Sequence, residues 1–174
     1  MQRYQDMVFS TAMRLLANPT EAEDVAQEVF LRAYEHYHEL SASPTVGGWL
    51  KTVATNLSLN HLSRYRARWS FFSELSTSRE ESDQEHEVEF AAAQDLGAEL
   101  EEADRHQVVE QALQKLPPAQ RIPLVLYHLE GMRYEEIAAK LKISLGKVKT
   151  DIFRGRETLR KRLRSRLLEQ SATG

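Results

Sequence analysis

Apolar residues along this chain recur at helical spacing in two stretches, separated by a segment with no sustained period. In the first stretch Tyr4, Val8, Ala12, Leu15 and Leu16 keep the period until Asn18-Pro19 breaks it, which predicts a first helix. Thr20 and Glu23 stand as a capping-box pair at the head of a second. Its inward face reads Ala22, Val25, Ala26, Val29, Phe30, Ala33 and Tyr37. Its outward face carries Asp24, Gln27, Glu28, Leu31, Arg32 and Glu35, a polar surface with one leucine in it. The Ser, Pro and Gly content of residues 41–48 predicts a loop. A third helix follows, with Leu50, Val53, Ala54, Leu57 and Leu62 apolar and Arg64, Arg66 and Arg68 at its end.

In the second stretch Val108, Val109, Ala112, Leu113 and Leu116 predict a helix ending at Pro117-Pro118. Pro118 suits the first turn of the next helix, where no backbone donor is needed. Ile122, Val125, Leu126 and Leu129 give that helix its buried face, and Gly131 closes it. Tyr134, Ile137, Ala138 and Leu141 then predict a short helix, residues 142–144 a tight connection, and Ser144 the cap of a final long helix. Val148, Ile152, Leu159 and Leu163 form an apolar seam on it, while Lys147, Lys149, Thr150, Arg154 and Arg156 project from its other faces. Two helices across a tight turn, the second basic in its first turns, are suited to entry into a DNA major groove. The plainer alternative is a solvated basic helix in an ordinary bundle. The fold class expected is all-α, with two small helical domains and no strand.

Charge separates the segments. The net charge is −3, which alone argues against nucleic acid, but residues 132–168 hold twelve Lys or Arg against four acids. Residues 70–104 hold twelve acids against Arg79 alone. The basic end carries the footprint expected of a DNA-binding domain. The acidic run reads as a self-repelling flexible linker, with residues 89–100 able to form transient helix. The domains expected are therefore residues 1–69 and 105–170, joined by 70–104. Trp49, His61, Tyr65 and Trp69 interleave with Arg64, Arg66 and Arg68, a combination that suits single-stranded DNA because bases stack while cations follow phosphates. For Trp49 and Tyr65 a place in the core is the competing reading.

Other classes find little support. The chain has 174 residues and no cysteine, which excludes disulfides, thiolate zinc sites and a cysteine nucleophile. No apolar run approaches membrane-spanning length and no signal sequence opens the chain as given, so no membrane insertion is expected. His86 between Glu85 and Glu87 could suggest metal ligands, but solvated charge is the expected state of such a run. With no HExxH, phosphate-binding Gly-rich loop or Ser/His/Asp arrangement, the expectation is a cytoplasmic, cofactor-free, metal-free protein without enzymatic activity.

Two segments resemble a known family. Residues 20–34, TEAEDVAQEVFLRAY, and residues 49–62, WLKTVATNLSLNHL, are similar to region 2 of the sigma-70 family. Residues 116–163, LPPAQRIPLVLYHLEGMRYEEIAAKLKISLGKVKTDIFRGRETLRKRL, are similar to its region 4. In that order, across an acidic linker, they resemble the extracytoplasmic-function (ECF) class, and the resemblance covers nearly all the chain except the linker.

The resemblance implies a sigma factor that binds core RNA polymerase and directs it to a subset of promoters. It implies that Asp24, Gln27, Glu28, Leu31 and Arg32 dock on the clamp helices of the β′ subunit, with Phe30 structural, and that the β flap is a second polymerase contact. It implies that residues 41–48, Trp49 and Asn56 capture a flipped base of the −10 element, with His61, Arg64, Arg66 and Arg68 along the same DNA. It implies that Lys147, Lys149, Thr150, Asp151, Phe153 and Arg154 face the −35 element, that Arg121 contacts a phosphate, and that an anti-sigma factor is a further partner.

Some positions depart from the family pattern. Lys147 stands where Thr is usual, Asp151 where a basic or small residue is common, Asn60 in place of Asp and Ser63 in place of Arg. An acid at 151 could accept from a cytosine amino group, so the −35 preference does not follow from relatives. The resemblance begins at Tyr4, where relatives often have another turn or two; either the first helix is short or the start site lies upstream. Two other functions stay open at this point: a helix-turn-helix regulator that binds duplex DNA without polymerase, and a sigma mimic that sequesters an anti-sigma factor.

Overall fold

The computed structural model describes residues 2–73 and 102–172, and every regular element among them is helical. A 3-10 turn, Gln2–Tyr4, leads into α1 (Gln5–Leu16), followed by α2 (Pro19–Glu35), the short α3 (Tyr37–Leu40) and α4 (Val46–Ser73). The C-terminal part holds α5 (Glu102–Gln114), α6 (Pro118–His128), α7 (Tyr134–Leu141) and α8 (Leu145–Ala172). Most of the acidic run, including Glu85, His86 and Glu87 and the stretch 89–100, lies outside the described residues.

The first turn between helices is built one step earlier than the Thr20–Glu23 capping pair predicts. Ala17 takes a left-handed conformation, φ 51°, and its N–H returns to Met13 O at 2.8 Å, ending α1. Asn18 then caps α2: its Oδ1 accepts from the backbone N–H of Thr20 at 3.1 Å and of Glu21 at 3.4 Å. Pro19 occupies the first turn, where its missing donor costs nothing.

Ala22, Val25, Val29 and Ala33 of α2 are buried against Val8, Ala12 and Leu16 of α1 and Leu50, Ala54 and Leu57 of α4. Tyr37, expected on the inner face, is 53% exposed, because α2 stops at Glu35 and the chain turns at His36 before the period can carry it inward. The predicted loop 41–48 is shorter than its composition suggests, since α4 begins at Val46. Gly47 is helical because Tyr4 lies on it; a Cβ there would sit 3.2 Å from the Tyr4 ring.

The second core gathers Leu113, Leu116, Ile122, Leu124, Val125, Leu126, Ile137, Val148 and Ile152. At the α6–α8 crossing, a Cβ on Gly155 would meet Gln120 O at 3.1 Å, so a glycine allows the close approach. Gly131, φ +66°, turns the chain after α6, and Leu129, expected on the buried face, is left at the exposed helix end. Lys142 is left-handed at φ 55°, and Ser144 Oγ accepts from Lys147 N–H at 3.2 Å to start α8, as the spacing predicts.

The two cores are joined through α1, which packs on α5 and α6 as well as on its own neighbours. Leu15 is wholly buried within the second core. As a result α6 is covered on both sides, and Arg121 through Leu126 are all buried.

Candidate nucleic-acid interface

Three surfaces take up the residues singled out by sequence. On α2, Asp24, Gln27, Glu28, Leu31 and Arg32 are all exposed, at spacings that put them on one side of the helix. Arg32 Nη2 donates to Glu28 Oε1 at 2.6 Å, an i,i+4 pair that orders the middle of this face. Sequence reasoning missed its continuation. Tyr34, three residues beyond Leu31, is 74% exposed beside a leucine that is itself 66% exposed. The signal was present in the spacing: Tyr34 falls outside the set 22, 25, 29, 33 that the core consumes.

The second surface is the N-terminal half of α4. Trp49 is partly buried against the first core, its ring edge-on to His36 at 5.9 Å between centroids, so core packing accounts for much of it. Asn56 is half-buried, and its Oδ1 accepts from Lys140 Nζ at 2.5 Å. His61 Nε2 stands 3.5 Å from Glu21 Oε2. Asn56, Asn60 and Arg64 follow at four-residue steps, with Asn60 and Arg64 exposed. Arg66, Arg68, Tyr65 and Trp69 continue along α4, but their side chains lie outside the described residues.

The third surface is the head of α8. Lys149, Thr150, Phe153 and Arg154 are exposed at positions i, i+1, i+4 and i+5, which makes one contiguous face. Beneath it Val148 and Ile152 anchor the helix in the core. Arg156 turns the other way: its Nε donates to His128 Nε2 at 2.9 Å and its guanidinium lies 5.6 Å from the Tyr127 ring centroid. Burial, and then the charge of Arg156, hold the His128 pKa below its ordinary value.

Two expected DNA contacts are placed elsewhere. Asp151 is 4% exposed; one turn after Lys147, it points toward the core side of α8 with its carboxylate paired to the Lys147 ammonium at 2.9 Å. It offers no free acceptor to a base edge, and Lys147 shares its charge with it. Arg121 is also 4% exposed, donating from Nη1 to Leu116 O at 2.9 Å and from Nη2 to Leu15 O at 3.1 Å. A side chain held between two helices in this way does not reach a phosphate in this arrangement. Burial lowers its pKa.

These surfaces have counterparts in known proteins. Residues 1–68 match the Sigma-70 region 2 family and residues 106–159 the Sigma-70 region 4 family. ECF RNA polymerase sigma factor SigW of Bacillus subtilis is 32% identical over 162 residues, covering 92% of this chain and 85% of the relative. The chain belongs to the ECF RNA polymerase sigma factors. RNA polymerase sigma-H factor of Pseudomonas aeruginosa is 30% identical over 96% of this chain and 86% of its own. A solved structure, sigma factor RpoE with the anti-sigma factor NepR from Bartonella quintana, is 21% identical, covers 94% of this chain and 93% of that one, and has a TM-score of 0.49.

Sigma factors of this family are DNA-recognition subunits of RNA polymerase that direct transcription initiation, and that is the function of this chain. A regulator working without polymerase would leave region 2 without a purpose. No helix among the described residues is long and apolar enough to cross a membrane.

Proposed function

We propose that this sigma factor divides its work among the three surfaces. The outer face of α2, from Asp24 through Gln27, Glu28, Leu31 and Arg32 and extended by Tyr34, docks on the clamp helices of the polymerase β′ subunit. The N-terminal half of α4, with Trp49 as a packed base and Asn56 as the polar edge, takes the flipped base of the −10 element, and Arg64 with the arginines beyond it follows the strand. The head of α8 enters the −35 major groove with Lys149, Thr150, Phe153 and Arg154. The C-terminal domain meets the β flap. The protein works in the cytoplasm, catalyses nothing itself, and is restrained by an anti-sigma factor.

The observation that carries this reading is the α8 face: four side chains of the types that bind DNA, exposed side by side over a buried Val148–Ile152 anchor. Arg and Lys reach guanine edges and phosphates, and Phe and Thr methyl groups suit thymine. Run-off transcription with purified core polymerase on a genomic promoter library tests it. The wild-type chain yields promoter-specific products, and Lys149→Ala with Arg154→Ala loses them while still binding core. Equal products from both proteins would remove α8 from promoter choice.

A further inference from the structure

The two domains are closed on each other through polar contacts that fall on the face of α4 assigned above to the −10 element. Lys140, near the end of α7, donates to Asn56 Oδ1 across 84 residues of sequence. Lys51 Nζ donates to Leu129 O at 2.9 Å and stands 3.6 Å from Glu130 Oε2. The same Glu130 oxygen accepts from Thr55 Oγ1 at 3.2 Å. Lys51, Thr55 and Asn56 occupy little more than one turn of α4, directly after Trp49. The C-terminal domain therefore covers the residues that would receive the base.

The chemistry of this interface is that of one made to separate. Its apolar part is small: Leu15 is inserted in the second core, with Leu59 and Leu62 packed alongside. The remainder is charged or hydrogen-bonded, and incompletely satisfied. Glu130 Oε1 and Arg121 Nε are buried with no hydrogen-bond partner, and among the described residues no carboxylate pairs with Arg121. Buried polar atoms left unmatched subtract from the stability of the state that buries them. Contacts between domains of one chain resemble transient protein–protein interfaces and are more polar than permanent ones. Meanwhile Asp24, Gln27, Glu28, Leu31 and Tyr34 on α2 stay exposed, so the closed arrangement masks the −10 face and not the docking face.

We propose that the free sigma factor rests in a self-masked state, in which Glu130 and Lys140 of the C-terminal domain occupy the −10 face of α4, and that docking of core polymerase through α2 precedes its opening. This rests on the assignment of Asn56 to the −10 element, and the test is arranged so that the two can fail separately.

Because the chain has no cysteine, Asp6→Cys with Glu135→Cys provides a donor and an acceptor dye on exposed sites, one on each domain. Energy transfer is measured in the free full-length chain and after adding core polymerase, without DNA. The wild type should show efficient transfer that falls when core is added. Glu130→Lys with Lys140→Ala should begin with the closed-to-open ratio reduced about fivefold or more, the range expected for a coupling of ordinary size. If the double variant loses far-UV helicity, Lys140→Ala alone, which removes one exposed side-chain bond, is read in its place. Equal transfer in wild type and the folded variant would overturn the self-masked state, and transfer unchanged by core polymerase would overturn its release by docking. No promoter is present, so an Asn56 that plays no part in base capture leaves these results standing. Normal strand opening by Asn56→Ala would sink the −10 assignment alone.

Discussion

Lys147 and Asp151, one turn apart at the head of α8, form an ion pair that keeps a carboxylate inside the domain: the ammonium lies 2.9 Å from Oδ2, and the Asp151 side chain is only 6% exposed. Sequence alone suggested that both residues face DNA. The pair instead acts as a brace between the −35 helix and the core beneath it, with the cation half in solvent and the anion covered.

The brace has a direct consequence for stability. Lys147→Ala leaves a covered carboxylate without its cation, so it should cost about 1–3 kcal/mol, where an ordinary surface substitution stays within about 0.5 kcal/mol. Urea denaturation of the full chain measures this. The −35 sequence logo selected by Asp151→Ala should match that of the wild type, and an altered preference at one base pair would return Asp151 to the groove.

The α2 face gives a second prediction. Leu31 and Tyr34 are exposed apolar groups within a polar helix surface, the pattern expected of interface anchors. Leu31→Ala with Tyr34→Ala should weaken core polymerase binding by about 2 kcal/mol or more while leaving the melting temperature nearly unchanged. Calorimetric titration of core polymerase decides it. Unchanged affinity would show that docking is carried by Asp24, Gln27 and Glu28 alone.

What sequence could reveal follows from which forces are local. The helical period exposed Val25, Val29 and Ala33 in the first core and Val148 and Ile152 in the second, because each of these helices buries a single stripe. The same logic failed at α6. That helix lies between α8 and α1, so Arg121 and Leu124 are buried on a side that a one-stripe reading leaves in solvent. Gly47 looked like loop because its helical role depends on the Tyr4 ring, 43 positions away. The exposed members of the α8 face were legible, since exposure of a basic helix head needs no partner to explain it. Asp151 was not, because an i,i+4 pair can lie outward or inward and only the surrounding packing decides. The Lys140–Asn56 bond lies beyond any local pattern.

His128 supplies a pH prediction. Its pKa is lowered in the folded chain, by burial first and by Arg156 second, so above the ordinary value of 6.5 the imidazole is neutral in both folded and unfolded states and contributes no pH dependence. As pH falls below 6.5 the unfolded chain takes up a proton that the folded chain resists. Stability is therefore lost from that point down to the lowered folded value, and then levels off. Thermal melts between pH 7.5 and 5 should show a fall in the wild type that is reduced in His128→Gln, which keeps an acceptor for Arg156 without titrating. Parallel curves for the two proteins would assign the acid sensitivity to other groups.

The last prediction concerns strand opening at Asn56. In the folded chain this amide spends its oxygen on Lys140, so in the free protein it is occupied and on an opened promoter it must exchange that partner for a base. An amide offers both a donor and an acceptor, which suits the edge of a flipped base, and Trp49 behind it is fixed by packing rather than free to move. Asn56→Ala should therefore leave duplex binding through α8 intact while reducing permanganate reactivity of −10 thymines in the holoenzyme complex. Asn56→Asp should be worse than alanine, since it keeps the Lys140 contact as an ion pair and presents only acceptors to the base. Lys140→Ala should act in the opposite sense, freeing Asn56 and giving strand opening at least as fast as wild type. Equal permanganate patterns for wild type, Asn56→Ala and Asn56→Asp would show that the amide takes no part in holding the base, and would move the capture site to another part of α4.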